Sequence, residues 1–210
     1  MTPRIVVVGR GLAGAMVAWK FARRGCQISW WSGGQHRASE VAAGMFNPVS
    51  FRRIVEVWNA GQHLTEMRAT LSDMEETLGL QGELLHDVPV AKVFANGDYR
   101  DTWDARWAEG HGVCQWASLG EDIAGAQLPH VQGPAGVGKV HAAGWVDVPA
   151  LLQAMEAHFE VHHNVEHQTW NVDDGLPSGA DALVDCRGVG AADEDRKSTR
   201  LNSSHLDVSR

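Results

Sequence analysis

Three glycines follow an apolar run near the start of the chain, and they restrict the possible folds more than any other feature. The run at 5–8 is β-branched and short, as expected of a buried strand, and Gly9, Gly11 and Gly14 follow it. In this spacing the first glycine makes a tight turn, the second lets backbone approach a pyrophosphate, and the third lets a helix pack on the strand. The pyrophosphate then lies at the positive end of that helix. The pattern predicts a strand, a turn, a helix over 13–24 and a dinucleotide site; a glycine-rich turn without a ligand is the alternative.

Composition narrows the class of protein. The chain has 210 residues, of which 44% are hydrophobic, so a sizeable core is expected. A net charge of −8 argues against a general nucleic-acid binder, and no apolar run is long enough to span a membrane. The cysteines, Cys26, Cys114 and Cys186, are scattered without metal or disulfide spacing. With no signal peptide before the first strand, we expect a cytoplasmic protein with neither membrane nor nucleic-acid partner.

Periodicity gives a coarse plan of the rest of the chain. Apolar residues at helical spacing predict a helix over 55–78, and a second helix is expected to begin near Asp147 and Pro149. Short β-branched runs predict strands, at 27–31, 88–94, 113–119, 138–141, 161–163, 165–170 and 182–186.

Four blocks of sequence together resemble one known family. They lie at 8–14, 38–48, 144–149 and 185–190. With them the chain is similar to the FAD-dependent oxidoreductases of the D-amino-acid oxidase and glycine oxidase superfamily. The resemblance implies an α/β fold, in which a Rossmann-like FAD-binding domain (1–50 and 142–191) is interleaved with an antiparallel-sheet substrate domain. That second domain, at 51–141, would be incomplete here.

The resemblance also assigns cofactor contacts. Residues of the glycine turn would hold the FAD pyrophosphate, with a hydrogen bond from Ser39. The 43–45 segment would pass beside the isoalloxazine ring, Val165 would meet the adenine, and the end of the last strand would close over the cofactor. The full set implied is Gly9, Gly11, Leu12, Ala13, Gly14, Ser32, Ser39, Ala43, Gly44, Met45, Val165, Cys186, Arg187 and Gly188.

One position departs from the family pattern. Relatives usually carry Asp or Glu at the end of the second strand to bind the adenosine ribose, whereas Ser32 stands here. A serine can still bond a ribose, but a neutral hydrogen bond is weaker than a charged one. His36 and Arg37 lie nearby and would suit a 2′-phosphate, which favours NADP. An NAD(P)-binding reductase is therefore the first alternative.

Few other side chains suggest chemistry. Arg52 and Arg53 could bind a substrate carboxylate bidentately, or be a solvated pair at a helix start. Arg187 could face a phosphate or lie at the surface. His162, His163 and His167 lack the carboxylate or cysteine partners of a metal site, so no metal is expected. No catalytic acid or base stands out.

The resemblance implies an enzyme that oxidises a C–N bond of a small amine or amino acid by hydride transfer to flavin N5. The FAD would carry the difficult chemistry. Besides the reductase, two alternatives stay open: a flavin oxidase module of a tRNA-modifying enzyme, and an inactive fragment. The oligomeric state is not predicted.

The C-terminal residues 195–210 differ in character from the rest. They are polar and without periodicity, and from Asp195 they match the in-frame translation of a sequencing adapter. We expect this tail to be read-through and leave it out of the fold prediction.

Overall fold

The computed structural model describes residues 1–32, 38–122 and 133–188. The chain forms two compact units, Met1–Ala42 with Val148–Arg210, and Ala43–Asp147. His36, Arg37 and the tail at 195–210 lie outside the described residues. The roles expected of 1–50, 51–141 and 142–191 stay predictions.

Short strands and longer helices make up most of the described part of the chain. The strands are β1 (Arg4–Val8), β2 (Gln27–Trp31), β3 (Met45–Phe46), β4 (Val49–Ser50), β5 (Val55–Glu56), β6 (Leu85–Asp87), β7 (Val90–Val93), β8 (Val137–Val140), β9 (Gly144–Val146), β10 (Asn164–Glu166) and β11 (Ala182–Asp185). The helices are α1 (Leu12–Ala22), α2 (Ala60–Leu78), α3 (Gly97–Ala108) and α4 (Val148–His162).

The first unit contains a four-stranded parallel sheet in the order β10-β2-β1-β11. The apolar run of β1 is buried throughout, as parallel strands covered on both faces require. Helices α1 and α4 cover one face, where the Trp30 ring meets the Phe159 ring edge-on at a centroid distance of 5.4 Å. Trp170, Ala180 and Leu183 pack on the other face. This arrangement confirms the predicted α/β class.

The second unit is built from short antiparallel pairings. Strands β3, β9 and β6 form one sheet in that order, while β4 pairs with β5 and β7 with β8. Phe94, Trp103 and Val140 are fully buried in its core. The Trp103 indole donates to the carbonyl of Ser118 over 2.9 Å, which satisfies its one polar group. Among the described residues, no helix is both long and apolar enough to cross a membrane.

Three element predictions were wrong. The helix expected from residue 55 begins at Ala60, because β5 comes first and Asn59 has a left-handed φ of 54°. The strand expected at 113–119 is a 3₁₀ turn at Val113–Gln115, following a left-handed Gly112. The strand expected at 161–163 is wrong because α4 continues to His162.

Candidate functional site

The turn after β1 lies against the ends of two neighbouring strands. Gly9 has a φ of 109°, and a Cβ there would lie 2.3 Å from the carbonyl oxygen of Cys186. The Gly9 N–H donates to the carbonyl of Trp31 over 2.9 Å, and the Gly9 carbonyl accepts from the Trp30 indole over 3.1 Å. Strands β2 and β11 therefore fix the conformation of the turn.

Helix α1 begins directly on this turn. A Cβ at Gly14 would lie only 1.8 Å from the carbonyl oxygen of Gly9, so no other residue allows this approach. Gly11 caps the helix with extended backbone and offers no side-chain acceptor. Leu12 and Ala13 are exposed. Since the first N–H groups of a helix have no intrahelical acceptor, this end can receive an anion.

Ser39 adds a hydroxyl to the same place. Its Oγ accepts a hydrogen bond from the Leu12 N–H over 2.9 Å, and a Cβ at Gly11 would lie 3.1 Å from that oxygen. A hydroxyl that accepts still has its own hydrogen to donate. Backbone donors, the Ser39 hydroxyl and the missing Cβ of Gly11 together form a cradle that fits a pyrophosphate.

Ser32 lies where β2 meets β10. Its N–H donates to the carbonyl of Glu166 over 3.0 Å, and its Oγ donates to the carbonyl of Gln168 over 3.5 Å. Val165 lies opposite Trp30 in the register of the two strands and is half-buried. The structure thus brings the residues predicted to bind ribose and adenine to adjacent strand ends.

The sequence analysis missed Arg10, which stands between the first two glycines. Arg10 is 5% exposed. Its guanidinium contacts Glu156 of α4 over 3.6 Å and the Nδ1 of His167, after β10, over 3.1 Å. The only signal in the sequence is an arginine inside a turn that packs on the core. Its contact with His167 joins residues 157 positions apart, which a local sequence pattern does not show.

Arg187 forms an ion pair with Asp185 in which the arginine side chain is the covered partner. Its side chain is 5% exposed, and it donates to both oxygens of Asp185, over 3.0 and 2.9 Å. It also donates to the carbonyl of Trp170 over 2.9 Å and lies over that ring at 5.1 Å. The Arg187 hydrogen bonds hold the pKa of Asp185 below its ordinary value. The side chain is thus largely covered, and a role for Arg187 at a phosphate stays a prediction.

Cys186 and Gly188 flank this arginine. The Cys186 N–H donates to the carbonyl of Val8 over 2.7 Å, which extends the pairing of β11 with β1. Burial, with a smaller contribution from Asp185, raises the pKa of the Cys186 thiol. The thiol is therefore protonated near neutral pH and is a poor nucleophile there. Gly188 has a left-handed φ of 61°.

The segment expected beside the isoalloxazine ring lies in the second unit. Gly44 has a φ of 65°, and a Cβ there would lie 2.0 Å from the carbonyl oxygen of Val146. Ala43 is exposed, and Met45 is 62% exposed. Met45 lies opposite Trp145 in β9, whose ring stacks on His86 at a centroid distance of 3.9 Å. Met45 and Trp145 are exposed, and the half-buried His86 ring supports Trp145 from one side.

Arg52 and Arg53 stand at the tip of the hairpin that joins β4 to β5, and the expected helix start is wrong. Both are exposed, and within the described residues neither guanidinium makes a hydrogen bond or an ion pair. The tip is anchored on both sides. The Tyr99 hydroxyl donates to the carbonyl of Phe51, and Ile54 is 3% exposed in the core.

His158 and His162 of α4 and the adjoining His163 belong to one aromatic cluster. His158 and His162 lie 4.5 Å apart by ring centroids, and His163 lies 4.7 Å from the ring of Phe159. In the described ranges, no three His, Cys, Asp or Glu side chains are grouped so as to hold a metal ion.

Comparisons with known proteins add a family and a fold. The sequence matches the family described as FAD dependent oxidoreductase (DAO) over residues 4–208. No curated protein matches the sequence.

Several solved structures share the fold. Glycine oxidase from Geobacillus kaustophilus superposes with a TM-score of 0.65 at 19% identity, over 91% of this chain and 59% of that one. Iminodiacetate oxidase from Chelativorans sp. BNC1 superposes with a TM-score of 0.58 at 19% identity, over 88% of this chain and 55% of that one. L-proline dehydrogenase from P. horikoshii superposes with a TM-score of 0.58 at 12% identity, over 79% of this chain and 44% of that one. The chain therefore spans about six-tenths of the length of the first of these.

Proposed function

The chain belongs to the FAD dependent oxidoreductase family, and on that premise we propose that it oxidises the C–N bond of a small amine or amino acid. FAD is the cofactor of this family. The observation that carries the proposal is the cradle at the start of α1, where the Leu12 N–H and the Ser39 hydroxyl meet 2.9 Å apart beside the glycine turn.

In the proposal, the pyrophosphate of FAD lies on this cradle. The N–H groups at the start of α1 and the Ser39 hydroxyl donate to its oxygens, and the helix dipole favours its negative charge. The missing Cβ of Gly11 leaves room for the approach. Val165, Ser32 and the end of β11 are the proposed neighbours of the rest of the cofactor.

Bound FAD supplies the oxidising chemistry, which is removal of a hydride from the substrate carbon next to nitrogen. The chain's own part is to bind, to orient and to exclude water. We assign the exclusion of water to Met45 and Trp145, because both are apolar and exposed. No side chain is assigned as a catalytic acid or base.

We assign the substrate carboxylate to Arg52 and Arg53. Both are exposed on a hairpin tip that Tyr99 and the core hold in place. Two guanidinium groups can therefore bind a carboxylate with little loss of backbone entropy on binding. The double change Arg52→Gln/Arg53→Gln should raise the KM for amino acids about ten- to a hundredfold, the cost of a charge-assisted contact. The KM for amines without a carboxylate should not change. Arg24→Gln, another exposed arginine, is the control; equal effects on both substrate classes would refute the assignment.

The first experiment is a visible absorption spectrum of the purified protein, followed by release and identification of the bound cofactor. A flavin spectrum with released FAD is expected. Anaerobic addition of glycine, iminodiacetate or L-proline should then bleach the flavin band. A protein that binds NADPH and no flavin, or FAD-loaded protein that no amine or amino acid bleaches, would refute the proposal.

We propose a cytoplasmic location as well. The support is that Cys26, Cys114 and Cys186 are all described and none forms a disulfide, as expected in a reducing compartment.

A further inference from the structure

Arg10 is a buried cation within the glycine turn, at a position where the G-x-G-x-x-G pattern allows any residue. Its side chain is 6% exposed and is held by Glu156 of α4 and by His167. Burying an arginine is costly unless its charge and its donors are satisfied, so this placement calls for a role. The contacts tie the turn to α4 and to the segment after β10.

The contact with His167 fixes the tautomer of that imidazole. The Arg10 Nη2 can only donate, so the His167 Nδ1, 3.1 Å away, must accept. In a neutral imidazole with an unprotonated Nδ1, the proton is on Nε2. Since His167 is exposed, its Nε2–H is a donor available at the surface.

His167 and Ser32 are neighbours across two parallel strands. Trp31 lies opposite Glu166, and the Ser32 N–H donates to the Glu166 carbonyl, so the register continues with Ser32 beside His167. The alternation of side chains along β2 and β10 assigns residues 32 and 167 to the same face as Trp30 and Val165. Because the Ser32 hydroxyl donates to the Gln168 carbonyl, its lone pairs can accept another hydrogen bond.

We propose that Arg10 is a positioning residue that holds His167 as an Nε2–H donor, so that His167 and Ser32 form an uncharged donor–acceptor pair for the ribose hydroxyls of FAD. The inference rests on the proposed function, since it concerns the sugar of that cofactor. Dinucleotide-binding folds usually place an acid at the end of the second strand for this purpose. A ribose hydroxyl both donates and accepts, so a hydroxyl acceptor with an imidazole donor can replace the carboxylate.

The test compares binding of ADP and of 2′,3′-dideoxy-ADP to flavin-free protein by calorimetry. The wild type should prefer ADP by about three- to tenfold or more, as expected when hydrogen bonds to the sugar are lost. His167→Ala and Ser32→Ala should each bring this ratio closer to one. His167 is exposed, so its removal opens no cavity in the core. His141→Ala, another exposed histidine, is the control and should keep the wild-type ratio.

The positioning role of Arg10 needs a readout of its own. Arg10→Met is combined with Glu156→Gln, so that no carboxylate is left without its arginine. Nitrogen NMR at alkaline pH, where imidazole is neutral, should show the Nε2–H tautomer of His167 in the wild type and a mixture of the Nδ1–H and Nε2–H tautomers in the double variant. The ADP preference should fall together with that change.

The outcomes separate this inference from the proposed function. If the protein binds neither FAD nor ADP, the proposed function fails and this inference with it. If FAD binds but the wild type does not distinguish the two nucleotides, or His167→Ala keeps the full preference, only the inference is overturned. An unchanged tautomer in the Arg10 variant overturns the positioning role.

Discussion

At Gly14 a hydrogen atom stands where any other residue would place a methyl group 1.8 Å from the carbonyl oxygen of Gly9. Backbone atoms lie on both sides of that contact, so neither can move away without shifting β1 or α1. Gly14→Ala should therefore lower the free energy of unfolding by about 3 kcal/mol or more, at the upper end for overpacking. Denaturant unfolding measures this, and FAD titration should show weaker binding.

Gly97 is the matched control for that prediction. It begins α3, a Cβ there would meet nothing within 4 Å, and its φ is ordinary. Gly97→Ala should be neutral or stabilise by up to about 1 kcal/mol, because alanine has less backbone freedom to lose on folding. If both variants cost the same, close packing at Gly14 is not what requires the glycine.

At this scale, sequence reasoning succeeded where the chemistry is local. Gly9, Gly11 and Gly14 identified the turn because their spacing alone specifies backbone geometry. Arg10 was missed because its partner His167 lies 157 residues away, and nothing local shows that the side chain turns inward. The two interpretations of Arg187 could not be separated for a similar reason, since Trp170, which shields it, comes from a distant loop.

At the scale of elements, the hairpin joining β4 to β5 contains a strained residue. Ile54 is β-branched and has a φ of 51°, yet it is buried in the core. Ile54→Gly relieves the backbone but removes a buried side chain, so we expect a net loss of about 1–3 kcal/mol. Asn59→Gly is the control, because Asn59 has a φ of 54° and is exposed. It should be close to neutral in the same denaturant series; a net gain for Ile54→Gly would show that strain outweighs burial there.

Helix α4 should make stability depend on pH. Burial, with the nearby His162, lowers the pKa of His158 and of His163 below the ordinary 6.5. Arg23 acts in the same direction on His158. As the pH falls below about 6.5, the unfolded chain binds protons before the folded one, so stability present at higher pH is lost. The thermal midpoint should decrease as the pH is lowered from about 8 to about 5.

Variants separate these two histidines from the others. His158→Gln/His163→Gln should flatten the decline in midpoint between about pH 8 and about pH 5. His63→Gln, on α2 in the second unit, is the control and should leave the slope unchanged. An unaltered slope in the double variant would mean that other groups cause the decline.

The sequence predicted long elements more accurately than short ones. Helix α4 was expected from Asp147 and Pro149, and it begins at Val148. The strands of the second unit are two to four residues long, too short for an alternation of apolar residues to stand out. The segment at 113–119 looked like a strand because of Val113, but Gly112 in the left-handed region turns the chain and only Ala117 bridges to Val140.

At the scale of the whole molecule, the first unit draws its sheet from the two ends of the described chain. Strand β1 lies between β2 and β11, so residue 7 pairs with 30 on one side and 184 on the other. The α/β class was predictable because the glycine turn implies such a sheet. The positions assigned to FAD within the sheet follow from the resemblance and stay proposals that ligand binding has to test.

The increase in thermal stability on ligand binding tests these FAD positions in the whole protein. A ligand that binds only the folded state stabilises it by about 2.7 kcal/mol at about a hundred times its dissociation constant. If the site at the turn holds the pyrophosphate and adenosine, FAD and ADP should both raise the thermal midpoint of flavin-free protein. FMN has no adenosine and should raise it much less. Gly97→Ala should respond as the wild type does and Gly14→Ala should not; equal stabilisation by FMN and FAD would place the affinity at the flavin instead of the turn.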